Sequence, residues 1–293
     1  MFASLGAELL KIRRRPSTWV LVLIWLAIIV LLNYALIYLL LSNVPTHTFP
    51  EGTPKQQQEQ LREQQERAQE QQLGSLYPEN LVLNLLPGYP SVGAPIALIL
   101  GALAVGSEYG WATFKTILTQ RPGRTALFLG KLLAVGVLLA VLVALTFLTG
   151  AASSLVVAAL AGGPLKGPPL GELLRALGAG FLILAVWASL GALLSTLLRS
   201  TALSIGLGLV YSLVLETVIF NLPINSESFT NASRFFPGQN SSSLADSFSP
   251  QAPAGIAPPS QQIDGAQAAL VLLVYTAAFV VLATLVFRRR DVE

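Results

Sequence analysis

Side chains that can carry chemistry are scarce in this 293-residue chain and fall mainly in two places. Charged residues make up only 11% of it, and the lone histidine, His47, lies beside a proline in a polar stretch where a solvated loop is expected. The chain has no cysteine, which excludes disulfides, thiol catalysis and thiolate metal sites. It contains no G-x-x-x-x-G-K-[ST], H-E-x-x-H or G-x-S-x-G motif. The sequence therefore predicts no catalytic, cofactor-binding or metal site in this chain.

The first place is the stretch 106–131, GSEYGWATFKTILTQRPGRTALFLGK, a polar interruption between two apolar runs. Its positive charges, set against a single carboxylate at Glu108, are Lys115, Arg121, Arg124 and Lys131. Trp111, Phe114 and Leu118 recur at i, i+3 and i+7, which predicts an apolar stripe on a short amphipathic helix. Such a helix either lies on a membrane surface or docks on a partner protein.

The second place is Glu216, an acidic residue within an apolar run. Placing a carboxylate inside a membrane costs free energy, so such a residue is a functional-site candidate by default. For Glu216 the candidate role is a position on a translocation path. The alternative is a Glu216 near the outer surface that reaches water or pairs with Arg175.

The elements that position these residues are apolar helices. Hydrophobic residues make up 53% of the chain, mean hydropathy is +0.65, and soluble domains carry about twice as much charge. Six apolar runs are long enough to be spans: 18–41, 91–107, 125–161, 171–198, 201–221 and 267–287. An amphipathic interfacial helix over 1–16 precedes them. We therefore predict an all-α polytopic membrane protein, with one transmembrane domain over 1–293.

The distribution of positive charge predicts the orientation of these spans. Of the 18 Lys and Arg residues, 12 lie near the two termini, in the 106–131 stretch, or at Arg199. Because Lys and Arg are retained on the cytoplasmic side, both termini and segment 108–124 are expected inside. Segments 42–90 and 222–266 are then extracytoplasmic, and Lys131 is expected to snorkel to the inner interface.

The outer segment 42–90 has two parts of different composition. In Lys55–Gln72, nine of 18 residues are glutamine, and Glu63 and Arg67 are spaced to pair on a helix. With almost nothing apolar to bury, this part is expected to be a solvated, mobile helix. The following run, Leu81–Leu86, is apolar but is cut off by Pro87, and we expect it to rest at the outer interface.

The 106–131 stretch resembles the permease subunits of ABC transporters of the ABC-2 export class. The resemblance rests on Glu108, Ala112-Thr113, Leu118-Thr119, Pro122-x-Arg124 and Gly130-Lys131, with Ala112 standing where the family more often has Gly. In that family the segment is a coupling helix. The resemblance implies that 108–124 is the coupling helix and turn. The residues implied to contact an ATPase are Glu108, Trp111, Thr113, Phe114, Lys115, Leu118, Arg121 and Arg124.

The resemblance further implies a transport subunit rather than an enzyme. ATP and Mg would bind on a separate ABC ATPase subunit docked on the 108–131 loop. A second permease copy, identical or related, would complete the complex in the plasma or inner membrane of a bacterium, with no nucleic-acid partner. The residues alone leave two alternatives: a gradient-driven secondary transporter, and a non-transporting membrane scaffold that works through its Gln-rich outer helix.

Overall fold

The structure is a computed structural model that describes residues 2–42, 55–110, 124–216, 234–250 and 263–289. In these ranges the regular elements are helices, and the prediction of an all-α polytopic membrane protein is confirmed. The helices are α1 (Phe2–Arg14), α2 (Pro16–Ser42), α3 (Lys55–Ser75), α4 (Leu81–Leu85), α5 (Ala94–Gly110), α6 (Arg124–Ala161), α7 (Leu170–Leu198), α8 (Thr201–Leu209), α9 (Pro237–Asp246) and α10 (Gly265–Arg289).

Three stretches of wider π-helical winding adjoin or interrupt these helices. Ile29–Leu36 lies within α2, Tyr89–Gly93 leads into α5, and Val210–Leu215 continues α8. Pro90 lies at the start of the second of them, where its missing N–H interrupts no intrahelical bond.

In the described ranges, five helices are long and apolar enough to cross a membrane: Pro16–Ser42, Tyr89–Glu108, Thr125–Ala161, Leu170–Leu198 and Gly265–Arg289. Thr201–Leu215 is apolar but shorter, and the rest of the predicted fifth span beyond Glu216 lies outside the described residues. The predicted fifth span, and with it the total of six, stays a prediction, as does the side on which each terminus lies.

The chain divides into two compact units. The first comprises residues 1–25, 86–144 and 175–293, and the second comprises 26–85 and 145–174. The first unit contains the 106–131 stretch and Glu216, so both candidate places belong to it. The second contains the Gln-rich helix α3.

Helices α5 and α7 of the first unit approach each other closely through glycine. A Cβ added at Gly101 would overlap the backbone of Ala188, and one added at Gly191 would overlap the Leu98 carbonyl. Small residues let helix backbones meet at such distances, where dispersion contacts replace the hydrophobic driving force that lipid does not supply. These two glycines therefore serve packing within one chain.

Helix α9 arises from a segment of polar composition, and it is nevertheless buried in the first unit. It packs against Tyr89–Gly93 and α10, and its hydroxyls bond its own backbone: Ser241 donates to the Pro237 carbonyl at 2.8 Å and Ser243 to that of Gln239 at 2.7 Å. Because these bonds satisfy the hydroxyls inside the helix, α9 tolerates burial despite its composition.

The second unit corrects one expectation and confirms another. Leu81 and Leu85, expected at the outer interface, are buried, and both lie against Gly150 of α6. Helix α3 is exposed, and its predicted Glu63–Arg67 pair forms, with Arg67 Nη2 3.2 Å from Glu63 Oε2. The polar helix and the apolar run after it thus differ sharply in burial.

Candidate functional site

An ion-pair cluster joins three helices of the first unit and includes residues near both ends of the 106–131 stretch. It consists of Glu8 and Lys11 on α1, Glu108 near the end of α5, and Lys131 near the start of α6. Lys131 Nζ lies 2.9 Å from Glu8 Oε2 and 2.6 Å from Glu108 Oε1. Lys11 also donates to Glu108 Oε1. The two lysines and two carboxylates therefore balance each other in charge.

The cluster is buried most deeply where α5 and α6 meet. The Glu108 side chain is 0% exposed and that of Lys131 is 1% exposed, whereas the Lys11 side chain is 25% exposed. Buried ions give up hydration, and only their mutual attraction and hydrogen bonds compensate for it. Removing one partner leaves an uncompensated buried charge, so each member of the cluster depends on the others.

An apolar layer one helical turn away fixes the positions of Glu108 and Lys131. Val105 of α5 and Phe128 of α6 are both fully buried, and each lies three residues from a charged member of the cluster. The ring of Phe128 stacks on that of Phe287 of α10, with centroids 4.7 Å apart and planes at 18°. Side chains from α7 complete the layer, so the cluster rests on a packed core.

The junction between α1 and α2 is tied to α5 as well. Arg15, between the two helices, donates from Nη1 to the Leu103 carbonyl at 3.1 Å. Pro16 opens α2, a position where its missing N–H costs nothing. The N-terminal helix is thereby held by a backbone contact in addition to the ion pairs.

The predicted ATPase-contact residues are only partly described. Trp111, Thr113, Phe114, Lys115, Leu118 and Arg121 lie outside the described residues, and Arg124 is the first residue of α6. Glu108 is in the cluster, where one carboxylate oxygen accepts from both lysines. Its predicted contact with an ATPase stays a prediction.

Three members of the cluster were not anticipated as a site. Lys131 was expected to snorkel to the inner interface, and this is wrong because two carboxylates hold it inside the protein. Glu8 and Lys11 belong to the helix predicted to lie at the membrane interface, and the sequence gives them no further role, whereas Glu8 is buried. A signal existed in their spacing: Glu8 and Lys11 are three residues apart and present opposite charges on one helix face.

Glu216 lies at the end of the π-helical extension of α8 and is 5% exposed. Its carboxylate faces the Tyr211 hydroxyl and the backbone of Gly238. The alternative that Glu216 reaches water is wrong, because α9 covers it, and its place on a translocation path stays a prediction.

Comparison with known proteins points to one family. The sequence model of the ABC-2 family transporter proteins matches residues 2–292, essentially the whole chain. No curated protein matches this chain. The match extends from the N-terminal helix α1 through the ion-pair cluster to the end of α10. It agrees with the all-helical, multi-pass architecture and with a role in transport across a membrane. The chain belongs to the ABC-2 family of transporter proteins, as a membrane permease of the ABC transporter class.

Proposed function

We propose that this permease exports its cargo with energy from a separate ATPase subunit, which docks on the 108–131 loop. The ion-pair cluster is the observation that carries the proposal. Glu108 lies at one end of the loop and Lys131 at the other, and the two side chains are bonded to each other. A force applied to the loop would therefore reach α5 and α6 together, and α1 through Glu8.

The partners of this function follow from what the chain lacks and from its family. Without a phosphate-binding loop of its own, the permease requires a partner that binds ATP and Mg. A second permease, identical or related, would form the other wall of the pathway, and the complex would reside in a bacterial plasma or inner membrane. Family membership favours this arrangement over a gradient-driven transporter or a membrane scaffold.

The test is the substitution Phe114→Asp, at the centre of the predicted apolar stripe. Interfaces draw most of their affinity from a few buried aromatic anchors, so this change should cost about 2 kcal/mol or more of ATPase binding. That loss is a roughly thirtyfold weaker complex. The measurement is co-purification of a co-expressed ABC ATPase, at equal membrane abundance of the wild-type and variant permeases.

Leu61→Asp is the matched control, because Leu61 is an exposed apolar residue on the Gln-rich helix α3 and the substitution is identical. It should leave the complex intact. Lys115→Glu should weaken the complex in a salt-sensitive way, since it acts through charge. An undiminished complex with Phe114→Asp, or a loss of membrane abundance without a loss of binding, would contradict the docking role and favour a lipid-anchored helix.

A further inference from the structure

The N-terminus of α9 rests on the end of α8, at a contact that only glycine permits. Glu216 extends its carboxylate to the backbone of Gly238, and a Cβ added at Gly238 would overlap the carboxylate oxygen. Gly238 is the second residue of α9. The acidic side chain is thus placed at the end of the helix where backbone N–H groups point outward without intrahelical partners.

Helix α9 has no N-terminal cap of its own. Its cap position is occupied by Phe236, which makes no side-chain capping bond, whereas Ser, Thr, Asp and Asn are the residues that supply one. Glu216 brings a negative charge to this end from a different helix. Anions at a helix N-terminus are favourable because the helix dipole is positive there.

Glu216 in turn depends on α9. It is buried, and neither carboxylate oxygen has a hydrogen-bond partner of normal geometry among the described residues. A buried carboxylate without compensation is strongly unfavourable. The Tyr211 hydroxyl and the N-terminus of α9 are the described groups that face it, and moving α9 away would remove the second of them.

A second contact holds α9 to α7. The indole N–H of Trp187 donates to Ser241 Oγ at 3.2 Å, and the Trp187 ring lies 6.1 Å from that of Tyr211, whose hydroxyl faces Glu216. The contact of Glu216 with Gly238 and that of Trp187 with Ser241 both fall in the first half of α9. Two further side chains of α9 bond their own segment: Asn240 donates to the Phe236 carbonyl at 2.8 Å and Ser243 to that of Gln239.

We propose that Glu216 is a latch that holds α9 closed over α7 and α8, and that releasing this latch opens the pathway at the end of the molecule predicted to lie outside. Because the Ser241 and Ser243 hydroxyls are satisfied within the helix, α9 can move as an intact unit when the Glu216 and Trp187 contacts break together with its packing against Tyr89–Gly93 and α10. The gating role rests on the proposed transport function, whereas the latch itself does not.

The latch is tested by the accessibility of a single cysteine on the buried face of α9. The natural chain has no cysteine, so Ser243→Cys, at a position 1% exposed, reports opening without background. In lipid nanodiscs, its reaction with a maleimide should be about fivefold faster in Glu216→Gln. A change of this size is expected when the stabilisation from a charge–dipole contact is lost. Gly238→Ala should act in the same direction, because its Cβ displaces the carboxylate.

Three controls separate a latch from general loosening. Glu172→Gln removes another carboxylate, in the first turn of α7, and should leave the rate unchanged. The exposed Ser247→Cys should react equally fast in every background. The buried Ser154→Cys on α6 should stay unreactive, since a destabilised fold would expose it too.

Unchanged Ser243→Cys labelling in Glu216→Gln and Gly238→Ala would overturn the latch, as would a parallel rise at Ser154→Cys. If neither variant yields folded protein, Tyr211→Phe decides, because it removes only the hydroxyl that faces Glu216. This variant should raise the labelling rate of Ser243→Cys. An unchanged rate would overturn the proposal. The labelling needs neither ATPase nor cargo. An ATPase complex that forms equally well with Phe114→Asp would count against the proposed function alone.

Discussion

Lys131 shows how one side chain can link distant parts of the sequence. Its partner Glu8 is 123 positions away and its partner Glu108 is 23 positions away. A lysine near the end of an apolar helix ordinarily reaches for water. Here Lys131 bonds two carboxylates instead of water, because the carboxylates are buried beside an apolar layer that excludes water. Local sequence pattern carries no information on such pairing.

At the residue scale, we predict that Lys131→Met destabilises the protein by about 3–5 kcal/mol, the usual cost of breaking a buried ion pair. Glu8 and Glu108 would then share Lys11 as their remaining partner in the cluster. The measurement is the midpoint of thermal unfolding in detergent or nanodiscs. Lys166→Met is the control, since Lys166 is exposed in the turn before α7, and its midpoint should not change.

A double-mutant cycle with Glu8→Gln tests the pairing itself. Because Glu8 loses its partner in Lys131→Met, removing both should cost less than the sum of the single changes by about 0.5–3 kcal/mol. Strict additivity would show that Lys131 is held by packing and not by its carboxylates.

The sequence identifies Glu108 and Glu216 as candidate residues, but it does not identify the contacts that either side chain makes. Glu108 was chosen for its place in a loop pattern, and the structure gives it partners on α1 and α6. Glu216 was chosen because it interrupts an apolar run, and the structure places Gly238 against it from a segment beyond residues 217–233. Charge in an apolar run signals a site, whereas its partners depend on how helices pack.

At the scale of elements, long apolar runs were predictable and short polar helices were not. Helix α6 begins at Arg124 and ends at Ala161, next to Gly162 and the Gly- and Pro-rich turn that follows it. Gly162 has φ of +69°, a conformation that favours glycine. Helix α9 gave no such signal, because its burial depends on hydroxyls that bond their own backbone, which composition does not reveal.

Helix α3 is predicted to be dispensable for folding. Most of Lys55–Gln72 is exposed, and within it Gln69 donates to the Leu41 carbonyl at 2.6 Å. Its Glu63–Arg67 pair is exposed and contributes a few tenths of a kcal/mol at most. Replacing Lys55–Gln72 by a short Gly/Ser linker should therefore leave membrane abundance and monodispersity unchanged.

The boundary of that replacement matters. Leu76 and Leu81 are almost fully buried, so a linker extended through Leu85 should reduce abundance sharply, and it serves as the matched comparison. Reduced abundance with the shorter replacement would show that α3 has packing contacts on which folding depends. Normal abundance with lost transport would instead give α3 a role in handling cargo or an outside partner.

At the scale of the whole molecule, orientation follows from charge rather than from packing. Twelve of the 18 Lys and Arg residues lie in segments predicted to be inside, and this bias sets topology during insertion. The ion-pair cluster adds a structural constraint, because Glu8, Glu108 and Lys131 bring the N-terminal helix and both ends of the 108–131 loop together. The N-terminus and this loop must therefore lie at the same face of the membrane.

Single cysteines test this orientation directly, since the natural chain contributes no background reactivity. In intact cells, an impermeant maleimide should label Gln64→Cys on α3 and Ser247→Cys after α9, both at exposed positions. Thr119→Cys in the loop, and Arg13→Cys on the exposed face of α1, should be labelled only after the membrane is permeabilised. Labelling of Arg13→Cys and Thr119→Cys from opposite sides would contradict the ion-pair cluster. Labelling of both from outside would preserve the cluster and invert the topology, and an ATPase in the cytoplasm could then no longer reach the loop.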